Sequence, residues 1–363
     1  MKVLHDRVTV KVGPPELQAA AYLGCSRKNI VGRHGLHHTT APVHLESFFA
    51  PEGMKQVRPF YLNLFAAFAV SLLLLAANAC APRPAADADA GTDTRVIRDA
   101  LGRDVVIPRD VRRVVSLAPN LTEMIFAVGG GSKLVGDTTY CDFPAAANDV
   151  QKIGDTMNPN MEAIIALHPD VVLISTASQI EAFMRTLAER NIAVYVIDAR
   201  SVEEVLNGML TVGEIVGTRP EAEKAVSALR ERLANVRSGV DGEKKMRVFV
   251  QISKEPLFTA GRDAYLNEAV EIAGGLSVTS DVPGAYPNLS RETALKLDPE
   301  AIVISDNEGN HEPNSAFANS AAVRSGKIFR VDADLLARPG PRLVDAIEIL
   351  ARDLHPQPQV QNR

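Results

Sequence analysis

The chain has 363 residues, enough for two domains, and a 46 % hydrophobic content that supplies a sizeable core to each. A net charge of −5, from 39 basic and 44 acidic residues, is close to balance and implies neither nucleic acid nor an acidic membrane surface as a partner. Aromatic residues are few and tryptophan is absent, which removes the usual wall of a site for a large flat ligand.

The first clear signal begins at Met54. Met54-Lys55-Gln56-Val57-Arg58 is a short basic start, an apolar run follows from Phe60 to Ala77, and small residues close it at Ala77-Asn78-Ala79-Cys80. That order predicts a secretory signal peptide over residues 54–79. Ala77-x-Ala79 satisfies ordinary cleavage, and the same bond precedes Cys80, which makes Cys80 the expected lipidated first residue of a membrane-anchored lipoprotein. Ala77 departs from that pattern, which usually carries Leu there. An uncleaved anchor is the alternative, since the run is about long enough to span a bilayer. Residues 1–53 hold five of the eight histidines (His5, His34, His37, His38 and His44), and such a tract can bind metal. A folded segment ahead of a signal would obstruct export, so residues 1–53 are expected to be a mis-assigned extension, with translation starting at Met54. Residues 80–94 read as the lipidated cysteine and a flexible Ala/Pro/Asp/Gly/Thr tether. Cys141 is then the one cysteine of the folded part, so no intramolecular disulfide is expected. With no His/Asn arrangement beside it, it reads as a buried or ligand-adjacent thiol.

From Arg95 onward, short β-branched runs alternate with amphipathic segments, the pattern of βα units and a parallel sheet. Arg113–Leu117 is a strand; Pro119-Asn120-Leu121-Thr122-Glu123 opens a helix, with Asn120 and Glu123 spaced like a capping pair. Gly129-Gly130-Gly131 closes it. Val171–Ser175 and Ala193–Ile197 are buried strands. An internal repeat organises the rest. Asn158-Pro-Asn-Met-Glu162 through Leu167-His-Pro169-Asp170 to Ser175 recurs as Asn288-Leu-Ser-Arg-Glu292 through Leu297-Asp-Pro299-Glu300 to Ser305. Ala193–Ala199 matches Lys327–Ala333, and Arg113-Val114-Val115 matches Arg247-Val248-Phe249. The fold class is therefore α/β, with two similar Rossmann-like lobes over residues 95–217 and 246–356. Between them, in residues 218–240, the apolar stripe Ala222, Val226, Leu229, Leu233 and Val236 predicts one long rigid helix from Pro220 to Arg237, about 27 Å in length. Lobes so joined bend only slightly, and a ligand cleft between them is largely preformed.

These residues resemble a known family. Ser116-Leu-Ala-Pro119-Asn120-Leu-Thr122-Glu123, Tyr140-Cys-Asp142-Phe-Pro144, the Asn-Pro-Asn-Met-Glu162 helix, Pro256-Leu-Phe258-Thr259-Ala-Gly261, Gly274-Gly275, Ser290-Arg291-Glu292 and Pro339-Gly340-Pro341-Arg342 are similar to the helical-backbone (class III) periplasmic substrate-binding proteins of ABC importers, most of all the cobalamin (vitamin B12) binders. The resemblance runs from about Val114 to Leu354. It implies capture of cobalamin or a related corrinoid as transported ligand, with no resident cofactor or metal, and delivery to a permease dimer with its ATPase subunits. It implies a periplasmic or extracytoplasmic monomer that meets the membrane through its lipid anchor. Permease docking falls by motif on Glu162 and Glu292, the pair that the repeat singles out independently; both also suit the positive end of a helix. Ligand contacts fall on Pro119, Asn120, Tyr140, the region of Thr156 and Met157, Phe258, Tyr286, Asp334 and Arg338, on loops at the carboxyl ends of strands. Relatives that bind cobalamin often set tryptophan against the corrin; here Tyr286, Thr156 or Met157, and Leu335 stand in those places, which leaves a ferric siderophore or haem as the alternative cargo.

Other classes fare worse. There is no G-x-S-x-G, H-E-x-x-H or C-x-x-C, so an enzyme is not expected. Gly129-Gly130-Gly131-Ser132-Lys133 ends a helix and lacks the spacing of a phosphate loop. An inorganic metal carrier requires clustered ligands, against which stand the scattered His168, His311 and His355.

Overall fold

The computed structural model describes residues 93–175 and 180–356; the leader, the signal segment, Cys80 and the tether lie outside them. A hairpin of β1 (Thr94–Arg98) and β2 (Asp104–Pro108) comes first, antiparallel and with only Val105 and Ile107 of β2 buried. The first lobe follows: β3 (Val114–Ser116), α1 (Pro119–Ala127), β4 (Leu134–Gly136), α2 (Met161–Ala166), β5 (Val171–Ser175), α3 (Ile180–Ala188) and β6 (Ala193–Ile197). Its sheet is parallel throughout, in the order β4-β3-β5-β6. Two helices, α4 (Val202–Val216) and α5 (Arg219–Gly239), lead out of it.

The second lobe holds β7 (Met246–Ser253), β8 (Phe258–Thr259), α6 (Tyr265–Ile272), β9 (Gly275–Ser277), α7 (Arg291–Leu297), β10 (Ala301–Asp306), α8 (Ala321–Ser325), β11 (Ile328–Asp332), α9 (Ala333–Leu336) and α10 (Leu343–Leu354). Parallel pairing runs β9-β7-β10-β11, with β8 added antiparallel to β7. Strand for strand this is the order of the first lobe.

The duplication extends to single hydrogen bonds. Asn160 caps α2 by accepting from Ala163 N, and Ser290 caps α7 by accepting from Thr293 N. Each helix ends in a non-glycine residue with positive φ, His168 at 43° and Asp298 at 36°. The acidic residue two places on then ties back to the neighbouring strand. Asp170 Oδ2 accepts from Arg113 N at 2.8 Å, and Glu300 Oε2 accepts from Arg247 N at 2.9 Å. Arg113 and Arg247 in turn donate to the carbonyls of Leu167 and Leu297. The Leu-x-Pro-acid turn is thus one device used twice: a helix stop, a buried proline and a carboxylate latch onto the first strand.

The stripe Ala222, Val226, Leu229 and Leu233 is buried as the periodicity requires, on a 21-residue helix about 32 Å long. It does more than connect. One continuous apolar core contains α1 (Leu121, Met124), α4 (Val205, Met209), α5 and the second lobe (Val248, Tyr265, Ile347). The opposite face of each sheet packs a smaller cluster of its own, around Val115, Val172 and Ile174 in one lobe and Phe249, Ile302 and Ile304 in the other. Alternate residues of each buried strand therefore serve two cores, which is why these strands read as unbroken apolar runs.

One expectation is corrected. Asn120 and Glu123 do not cap α1, because the cap position is Ala118, which makes no side-chain cap bond, and Pro119 opens the helix. Both side chains turn instead to the second lobe.

Candidate functional site

The loops that follow β3, β4 and β11 leave the carboxyl ends of parallel strands, where open α/β sheets form their ligand crevices. They meet in an ion cluster that joins the lobes. Arg338, 6 % exposed, comes from the second lobe. Its Nη1 donates to Glu123 Oε1 at 3.2 Å and to Asp142 Oδ1 at 3.0 Å. Its Nη2 pairs with Asp334 Oδ1 at 2.7 Å and reaches the Tyr140 carbonyl at 3.5 Å. Arg342 adds a forked pair to the same Glu123, Nε to Oε2 at 2.9 Å and Nη2 to Oε1 at 2.5 Å. Its guanidinium also lies 4.1 Å from the ring centre of Phe143. Asn120 Nδ2 donates across the same junction to the Pro339 carbonyl at 3.4 Å.

Glu123 is 2 % exposed and receives both arginines, the pairing a buried carboxylate requires. Asp334 keeps partial exposure. Burial pushes its carboxyl up, Arg338 opposes, and the charges of Asp142 and Asp332 push it up again.

The Tyr140–Pro144 loop is pinned from behind. Lys152 Nζ donates to Asp137 Oδ1 at 2.9 Å, to the Cys141 carbonyl at 2.7 Å and to the Ala147 carbonyl at 2.9 Å. Cys141 is a free, buried thiol between Thr122 and Thr138. Burial raises its pKa, so it is packed as an inert group.

Of the expected ligand residues, Pro119, Asn120, Tyr140, Asp334 and Arg338 are gathered around this cluster. Tyr286 lies beside Tyr265, which donates to the Leu336 carbonyl at 3.1 Å and so connects it to the same segment. Burial holds the Tyr286 phenol well above its usual range, with Asp198 of the first lobe adding to the effect. Phe258 is 8 % exposed within the shared core. Met157 is half-buried, its N–H held by Asp155 Oδ1 at 2.7 Å. Four partners stood within the quoted motifs but were not read as site residues: Glu123, Asp142, Phe143 and Arg342. A lone charge inside the apolar helix PNLTEMIFA was the available signal, since a carboxylate there requires a cation from elsewhere in the fold.

Glu162 and Glu292 occupy the same place, second residue of α2 and of α7, and both are exposed. Each helix runs back against the parallel strand that follows it, so both begin at the carboxyl edge of their sheets. Glu292 pairs with Lys296 at 2.7 Å, one turn along the exposed face. A separate cavity of about 370 Å³, lined by Arg237, Glu268, Glu271 and Gly274, lies at the far end of α5. Among the described residues, no cluster is placed to hold a metal ion and no helix is long and apolar enough to cross a membrane.

The profile of the periplasmic binding protein family matches residues 114–335, well over half of the chain. The chain is a periplasmic binding protein. A substrate-binding lipoprotein of an ABC transporter in Bacillus subtilis, YvrC, is 32 % identical over 269 residues, which cover 72 % of this periplasmic binding protein and 85 % of that relative. The vitamin B12-binding protein of Vibrio cholerae is 27 % identical over 66 % of this chain and 88 % of its own length. The crystal structure of the Vibrio cholerae B12-binding protein superposes with a TM-score of 0.59, covering 68 % of this chain and 98 % of that one. A periplasmic haem-binding protein from Pseudomonas aeruginosa, 26 % identical, superposes at 0.61 over 68 % of this chain and 94 % of its own. The two α/β lobes described above accord with the fold of these structural neighbours, and the family is one of binding proteins.

Proposed function

We infer that this protein, as the substrate-binding component of an ABC transporter, works with a permease, an ATPase and a small-molecule ligand. We propose that it captures cobalamin or a related corrinoid between its lobes and presents it to the permease, with Glu162 and Glu292 docking and Asn120, Tyr140, Met157, Tyr286 and Asp334 facing the ligand. Pro119 and Phe258 back that surface, and Arg338 supports it from beneath. The observation that carries the reading is the convergence of loops from the carboxyl ends of both sheets on one interlobe junction, in a chain with vitamin B12-binding relatives. Cys80 is proposed as the lipid attachment site, in line with the lipoprotein name of the Bacillus subtilis relative. Haem or a ferric siderophore is the second reading. It is favoured by the haem-binding neighbour and by the absence of tryptophan. The test is direct: incubate purified protein with cyanocobalamin, haemin or a ferric siderophore in parallel, desalt, and record the visible spectrum of the protein fraction. Corrin absorbance near one per chain supports the corrinoid reading; colour only with an iron complex reassigns the cargo.

A further inference from the structure

An arginine at the mouth of a ligand crevice usually signals an anionic ligand, because its planar fork matches carboxylate and phosphate. Here the geometry points the other way. Both Nη atoms of Arg338 are engaged by the protein's own acceptors: Glu123, Asp142, Asp334 and the Tyr140 carbonyl. Its Nε is buried and unpartnered, so it offers nothing to solvent. Arg342 is likewise forked onto Glu123 and covered on one face by Phe143. Two guanidinium charges thus face three carboxylates, a net charge of −1 at the junction. The two carboxylates on the outer side are the accessible ones. Asp142 has 49 % of its side chain exposed and Asp334 28 %, whereas Glu123 beneath them has 1 %.

We infer that this junction is a specificity filter: its arginines are neutralised internally, and Asp142 and Asp334 present acceptors that favour a ligand whose rim donates hydrogen bonds and disfavour one whose rim is anionic. The inference rests on the proposed cleft and names the chemical class it selects. The carboxylates accept from amide N–H or hydroxyl groups, while a carboxylate on the ligand meets like charge in a partly desolvated place, where repulsion is strong.

The filter is tested with two corrinoids that share a ring and differ in rim charge: dicyanocobinamide, with amide side chains, and dicyanocobyrinic acid, with carboxylates. Binding to the full-length protein is followed by quenching of its tyrosine emission at neutral pH and again at raised salt. The expected result is that the carboxylate form binds at least ~10-fold more weakly, with the gap narrowing in the double variant Asp142→Asn, Asp334→Asn. Equal or tighter binding of the carboxylate form overturns the inference, as does a gap that the double variant leaves unchanged while its melting curve matches wild type. Should neither corrinoid bind while haemin does, the corrinoid reading fails and the filter is read separately. Tighter binding of haemin dimethyl ester than of free haemin supports it, and the reverse order overturns it.

Discussion

Glu123 shows how much one buried side chain commits the fold. Two arginines of the other lobe converge on it, so removing either leaves charge in a nearly dry place. Arg338→Met is expected to cost about 3–5 kcal/mol, measured by urea unfolding, because Glu123, Asp142 and Asp334 then lose a shared cation. Asp137 makes a second case. It is fully buried against Lys152, and burial lifts its carboxyl from 3.8 to about 6 despite that lysine. A folded-state value above the unfolded one means that the folded chain holds the proton more tightly. The stabilisation is therefore complete below pH 3.8 and is lost as pH rises through about 6. Asp137→Asn removes that dependence, so melting temperatures recorded between pH 4 and 7 should show the variant gaining on wild type as pH rises. Parallel curves for the two proteins would contradict the assignment.

Among the secondary-structure elements, the repeated Leu-x-Pro-acid turn gives a paired prediction. His168 and Asp298 both adopt a left-handed conformation that glycine takes without strain. The positions differ in one respect: Asp298 Oδ1 also accepts from Ala321 N at 2.9 Å, the first residue of α8. His168→Gly is therefore expected to stabilise by about 0.5–1 kcal/mol, while Asp298→Gly gains nothing because it releases that bond, as chemical denaturation of the two variants would show. The elbow between α4 and α5 depends on a different glycine property. A methyl group on Gly213 collides with the Ala222 Cβ, since the two helices approach there with only that alanine methyl between them. Gly213→Ala should cost about 1–3 kcal/mol by the same measurement. The turn and the stripe of α5 were visible in the residues, since both are local patterns. The close contact at Gly213 was not, because it depends on where a second helix lies.

At the scale of the whole molecule, two exposed glutamates occupy matching sites on matching lobes, an arrangement suited to a partner built from two like halves. The double variant Glu162→Lys, Glu292→Lys should keep its ligand affinity and melting temperature while transport falls to background in an uptake assay; normal uptake would refute the docking role. The shared core also predicts modest motion. Apolar packing continues from α1 through α5 into the second lobe, and the ion cluster ties the two lobes together as well. Small-angle scattering with and without ligand should give the same radius of gyration within error.

The amino-acid sequence alone determined the α/β class, the duplication, the interlobe helix and the family, because each is written in local periodicity or in a repeated motif. Val171–Ser175 and Ala193–Ile197 are strands at the predicted residues, and the stripe on α5 is buried where the periodicity places it. Only the tertiary structure decided what Glu123 does. Three residues after Asn120 it has the spacing of a helix cap, and although a charge inside an apolar helix calls for a partner, nothing nearby in the chain says which. Its partners lie more than two hundred residues away, and a buried charge is satisfied by whatever the fold brings within reach. The same holds for Arg338, whose chemistry as a residue type suggests an anion receptor and whose surroundings, assembled from both lobes, neutralise it.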